Sequence, residues 1–237
     1  MTVPETANGE TMTTIEVRSV SQRFEDFEAL RGIDLVLAER RIGIVGGNGS
    51  GKSTFARLLN GLLVPTEGRV FVDGLDTANS GKAVRRKVGF VFQNPDNQIV
   101  FPIVEEDVAF GLKGLKLPRA ERDARVTEVL GRYGLEKLRG RSVHTLSGGE
   151  KQLLALAGAL ITGPDCVVFD EPTTLLDLRN SRMVDEVIAG LEQTAVVVTH
   201  DLDLLRRFDR VLVFDGGRVV ADDEPNAALT RYVESMG

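Results

Sequence analysis

The 237-residue chain reads as an α/β protein built on a parallel sheet, and three features of its patterning predict it. Short apolar runs of four or five residues recur along the chain: Ile42–Val45, Val88–Phe92, Cys166–Phe169, Ala195–Thr199 and Val211–Phe214. Helix-patterned stretches separate them, the signature of strands buried on both faces and joined by right-handed crossovers. A glycine-rich segment follows the first run and opens a helical pattern, and a charged helical stretch from about Val104 to Gly140, within a lobe at about 96–160, interrupts the alternation like an insertion.

The elements follow in order. Ile15, Val17 and Val20 alternate over Thr14–Phe24, and Ile33, Leu35 and Leu37 resume the period of two, so an N-terminal antiparallel β subdomain is expected. Strand Ile42–Val45 leads through GGNGSGKST into the helical FARLLNGLL. A hairpin-like piece at Gly68–Asp73 and a short polar helix at Lys82–Lys87 come next, with Arg85-Arg86-Lys87 reading as a solvated helix end. Strand Val88–Phe92 ends in Gln93-Asn94-Pro95. In the lobe, the acidic run Glu105–Asp107 either starts a helix near its positive end or faces a partner. LSGGE opens a second apolar helix, Lys151–Ile161. Strands Cys166–Phe169, Ala195–Thr199 and Val211–Phe214 then alternate with helices Ser181–Gln193 and Leu202–Phe208. Asp215-Gly216-Gly217 reads as a tight hairpin turn into Arg218–Ala221.

Composition bounds the function. Hydrophobic residues at 42% and charged residues at 27% are ordinary globular usage. The longest uncharged apolar stretch, Leu153–Ile161, is about half of what a membrane span needs. One cysteine excludes an internal disulfide and a cysteine-based zinc site. A net charge of −6 argues against the basic face of a nucleic-acid binder, so no nucleic-acid partner is expected. Residues 1–13 read as a disordered lead-in that is neither secretory signal nor transit peptide, and 14–237 as a single domain.

Gly46-x4-Gly51-Lys52-Ser53 matches the P-loop pattern in the required strand–loop–helix context. The run Gly46, Gly47, Asn48, Gly49, Ser50, Gly51, Lys52, Ser53, Thr54 is therefore the candidate ATP-binding loop. Its glycines let backbone N–H groups turn onto phosphates at a helix N-terminus. Lys52 would reach the β- and γ-phosphates, and Ser53 would offer its hydroxyl to Mg²⁺. Strand Cys166–Phe169 ends in Asp170-Glu171, two carboxylates that are costly there unless something positive meets them. Asp170 would hold Mg²⁺ and Glu171 would act as general base on the attacking water. Gln93 and His200 each follow an apolar strand, so they converge on the same ligand-binding end of the sheet. Gln93 could ligand Mg²⁺ or position water, and His200 could contact the γ-phosphate.

Ser147-x-x-Glu150 reads as a capping box. Capping alone leaves Gly148 and Gly149 unexplained, because glycine disfavours a helix by roughly 1 kcal/mol. Bare N–H groups there suit an anion, and with one phosphate cradle already complete, the anion would be the γ-phosphate of an ATP held by another copy or a paralogue. The working unit would then be a head-to-tail dimer around two ATPs.

The P-loop, Gln93, LSGGE, Asp170-Glu171 and His200 stand in the order of the ABC-type ATPases, and the resemblance covers nearly the whole chain from about Thr14. It implies an ABC ATPase fold that binds ATP and Mg²⁺. It also implies that Phe24 stacks on adenine, where the alternative is a strand-end core phenylalanine, and that Leu175-Leu176-Asp177 is the loop facing the partner subunit. Gly47 in the loop's variable stretch and Leu178 in place of a frequent proline depart from the pattern. Phe92–Ile99 and Val104–Gly111 further resemble the ATPase component of energy-coupling-factor transporters, most closely the biotin-uptake branch, with cobalt or nickel uptake next. That resemblance implies a peripheral protein on the cytoplasmic face of a prokaryotic membrane, with a transmembrane coupling subunit and a substrate-binding membrane subunit as partners. Asp96, Asn97, Gln98 and Ile99 become the candidate groove for the coupling subunit.

Overall fold

The computed structural model describes residues 12–235, so most of the lead-in expected at 1–13 lies outside it. Its elements are β1 (Ile15–Phe24), β2 (Phe27–Leu37), β3 (Arg41–Gly46), α1 (Lys52–Leu59), β4 (Glu67–Val72), β5 (Leu75–Asp76), α2 (Gly81–Lys87) and β6 (Val88–Val91). They continue with α3 (Val104–Phe110), α4 (Arg119–Arg132), α5 (Gly148–Leu160), β7 (Cys166–Asp170), α6 (Leu178–Ala189), β8 (Thr194–Val198), α7 (Leu202–Leu205), β9 (Arg210–Asp215), β10 (Arg218–Asp223) and α8 (Pro225–Ser235).

Two sheets result. One has four strands in the order β2-β1-β4-β5, all antiparallel; the other has six in the order β10-β9-β3-β8-β7-β6, parallel except for β10. The apolar runs become the parallel strands because both faces of this sheet are covered. Ile42 and Ile44 of β3, Val168 of β7 and Leu212 and Phe214 of β9 point to one core with α1 and the small sheet. Their neighbours Val45, Phe169, Val211 and Val213 point to a second core under α3 to α6 and α8. Strand period two thus feeds two cores at once.

Several boundaries differ from the periodicity. β2 begins at Phe27, directly after a two-residue turn, because Phe24 and Phe27 are cross-strand partners closing the hairpin. α7 stops at Leu205 rather than running to Phe208. α8 lies where no helix is expected, burying Ala228 and Leu229. The basic triplet at the end of α2 is not merely solvated: Arg85 donates to the Gly61 carbonyl at 2.9 Å. Lys87 bridges Asp73 at 2.7 Å and Asp165 at 2.8 Å, tying the small sheet to the start of β7. Among the described residues no helix is long and apolar enough to cross a membrane.

Candidate nucleotide site

β3, β8, β7 and β6 are neighbours in the sheet, so the loops after their carboxyl ends share one edge. The glycine-rich loop follows β3, and its shape explains its residues. A Cβ on Gly46 would sit 2.1 Å from the Phe214 carbonyl oxygen. Gly51 caps α1 in the left-handed region at φ 103°, where a side chain is strained. Lys52 folds back, its Nζ donating to the carbonyls of Gly46 at 2.8 Å and Gly47 at 2.9 Å. Burial lowers its pKa, opposed by the charges of Glu171 and Asp170. A cavity of about 310 Å³ lies over the loop, walled by Phe27 and Ala29 on one side and by Gln93 and Glu171 on the other.

Ser53 Oγ donates to Asp170 Oδ1 at 2.7 Å, joining the start of α1 to the end of β7. Asp170 is only 2% exposed, and this burial raises its pKa against the opposing Ser53 hydrogen bond and the charge of Arg57. Glu171 is the point of convergence. Its Oε2 accepts from Gln93 Nε2 at 3.3 Å and from Thr174 Oγ1 at 3.0 Å. His200 Nε2 lies 3.2 Å from its Oε1. Glu171 has φ 50°, a conformation costing of order 1–3 kcal/mol in a non-glycine residue. Its backbone N–H is held by the Val198 carbonyl at 2.9 Å.

A sequence profile described as ABC transporter matches residues 30–174. The chain belongs to the ABC transporter family. A Deinococcus radiodurans protein named as an ABC transporter ATP-binding protein is 64% identical over 94% of this chain and 98% of its own. The biotin transport ATP-binding protein BioM of Rhizobium etli is 51% identical over 93% of this chain and 98% of its own. The energy-coupling factor transporter ATP-binding protein EcfA of Methanosarcina acetivorans is 45% identical over 91% of this chain and 81% of its own. Among solved structures, cbiO1 of Clostridium perfringens, part of the ABC transporter complex cbiONQ, superposes with a TM-score of 0.79 at 33% identity, covering 94% of this chain and 93% of that one.

This ABC ATPase binds ATP, and the remaining expected residues can be placed against that activity. Phe24 stands outside the cavity at the hairpin end, 45% exposed, whereas Phe27, which no sequence motif singles out, forms the aromatic wall. Ser147 makes the expected capping box: its Oγ accepts from the Glu150 N–H at 3.3 Å, and its N–H donates to Glu150 Oε2 at 2.7 Å. The two glycines after it differ in cause. A Cβ on Gly149 would lie 2.4 Å from the Asn180 side chain, so packing within the chain already accounts for that residue. Gly148 is exposed, with only Leu176 near, at 3.9 Å, and is the one that leaves backbone open to an outside anion. Asp177 caps α6 by accepting from the Asn180 N–H at 2.8 Å.

The proposed groove divides likewise. Asp96 and Asn97 are exposed on a short 3-10 helix, Pro95–Asn97. Asp96 pairs with Lys151 of α5 at 2.7 Å. Gln98 and Ile99 are half-buried: Gln98 Nε2 donates to the Ala155 carbonyl at 2.6 Å and Ile99 packs on the larger core, so both also brace the segment from within. The acidic run starts α3, and its buried Asp107 accepts from the N–H groups of Val100 at 2.7 Å and Phe101 at 2.9 Å. Thr174, Phe27 and Arg57 are site residues that the sequence motifs do not mark. Arg57 lies four residues after Ser53, one turn along α1, so spacing carries a signal for it, whereas Thr174 sits in a turn that no periodicity marks.

Proposed function

We propose that this chain, the ATP-binding component of an ABC transporter of the energy-coupling-factor type, is the motor of an importer in which two copies close head to tail on two ATPs. The observation that carries the reading is the pairing of a complete ATP cradle with a second anion-suited helix end, Ser147-Gly148, on a different surface loop. Lys52 would leave its two carbonyls for the β- and γ-phosphates, and Glu171 would take the proton of the attacking water. His200 and Gln93 hold the two oxygens of Glu171 in place. Ser53, Asp170 and the Gln93 amide oxygen form an all-oxygen donor set suited to a hard divalent cation, and the buried Asp170 carboxylate favours one. Mg²⁺ bound there with ATP would neutralise charge on the transferring phosphoryl group.

The surface around Asp96, Asn97 and the exposed Val100 and Phe110 is the contact for a transmembrane coupling subunit, which makes the chain peripheral on the cytoplasmic face of the membrane. Biotin is the favoured cargo, supported by the 51% identity to a biotin transport protein; the 43% identity to a cobalt import ATP-binding protein supports cobalt less. Glu171→Gln should cut turnover by at least about a hundredfold and trap an ATP-dependent dimer in size-exclusion chromatography. A variant that still hydrolyses ATP at the wild-type rate removes Glu171 from its role. Expression beside its native membrane partners with labelled biotin or cobalt decides the cargo.

A further inference from the structure

Arg57 is the cation of the site that ATP chemistry leaves unassigned. It lies one turn after Ser53 on α1, and that spacing puts both side chains on one helix face. They divide the oxygens of one carboxylate between them: Asp170 Oδ1 accepts from Ser53 at 2.7 Å, while Oδ2 faces Arg57 Nη2 at 3.5 Å. Lys52, the other nearby cation, is turned onto the carbonyls of Gly46 and Gly47. Asp170 has 3% of its side chain exposed and Arg57 46%, so the guanidinium meets an enclosed carboxylate while keeping much of its own hydration.

We propose that Arg57 is a positioning residue for the metal: it fixes Oδ2 of Asp170 and so sets Oδ1 beside Ser53 before the cation arrives. The proposal rests on the reading of Ser53 and Asp170 as magnesium donors. Repulsion between the guanidinium and a divalent cation is weakened by water around the half-exposed side chain, whereas without Arg57 the buried carboxylate is held at Oδ1 alone, by Ser53, and can pivot about that contact.

The test is binding of a fluorescent ATP analogue to the full chain, first in EDTA and then titrated with Mg²⁺. In Arg57→Met, affinity in EDTA should stay within about twofold of wild type, while the Mg²⁺ concentration for half-maximal tightening rises about tenfold, the scale of lost outer-shell support at metal sites. Arg57→Lys, which keeps the charge, should restore most of the wild-type midpoint. Arg57→Gln should show the rise even where the Met variant does not fold. An unchanged midpoint in the neutral variants overturns the proposal. So does a lowered one, which would make Arg57 a competitor of the metal, and so does an equal loss in EDTA, which would make it a support of the loop. If wild type binds ATP and Mg²⁺ tightens nothing, the magnesium reading fails and takes this one with it; if no nucleotide binds, the nucleotide reading itself has failed.

Discussion

Glu171 is held by three side chains that come from three different loops, and each contact narrows where its carboxylate can point. Thr174 is the local member of the set, reaching back across the turn from three residues on. Losing its hydroxyl should leave ATP binding alone and let the proposed general base wander. Thr174→Ala is therefore expected to lower kcat about tenfold with KM for ATP changed less than twofold, and Thr174→Ser to recover most of it. Steady-state hydrolysis by the three proteins is the measurement; equal rates would mean that Gln93 and His200 suffice. Most of this site is legible in the amino-acid sequence. Gln93, Glu171 and His200 each follow an apolar run, and parallel strands bring such ends together. Thr174 and Phe27 escape the patterning because their roles depend on how a turn folds back, which neither period two nor period 3.6 encodes. Gly149 is open to over-reading for a related reason: its neighbour Asn180 is distant in sequence and touches it only in the folded chain.

α6 and α7 show the same limit at the level of whole elements. Their apolar faces predict that they pack on the sheet, and both contribute to the larger core. What the pattern does not foretell is the carboxylate caught between them. Asp185 of α6 has one oxygen buried without a hydrogen-bond partner in the described residues. Burial chiefly, and then the charge of Asp201, push its pKa up to about 6, with Arg207 opposing. Asp201 caps α7 and follows His200, so this buried carboxylate sits behind the loop that carries His200. A carboxyl whose folded pKa is raised favours the folded state while protonated. That benefit is complete below the unfolded value of 3.8 and is lost as pH rises through about 6. Asp185→Asn should thus raise the melting temperature at pH 8, by about 1 kcal/mol of stability after allowance for solvent screening. The gain should shrink toward zero at pH 4. Thermal melts at the two pH values check it, and a gain that is larger in acid would reverse the sign argued here. α8 eludes the periodicity since only two of its side chains are buried, too few to mark a stripe.

Across the whole molecule, the claim with the widest reach is that each copy lends its Ser147-Gly148 end to the nucleotide of the other. The structure supplies the position at which to test it cleanly. Gly149 is unsuitable, because any side chain there collides with Asn180 of its own chain and would damage the fold. Gly148 has open space around it, so Gly148→Arg should leave the monomer's melting temperature and its ATP binding intact while blocking the approach of a partner's phosphate. Lys52→Ala makes the opposite lesion, sparing the α5 end and spoiling the cradle. Each variant alone should be inactive, since every seam then contains a defect. In a mixture, a heterodimer joins the intact cradle of the Gly148→Arg copy to the intact α5 end of the Lys52→Ala copy, and one seam of the symmetric pair becomes whole. Half of the dimers in an equal mixture are of this kind, so up to about a quarter of wild-type hydrolysis should return on mixing if the seams act independently. ATP-dependent association of the two tagged variants provides the second readout where turnover demands both seams. A mixture as silent as its parts, with no association, would confine each site to its own chain and leave the exposed glycine without a purpose.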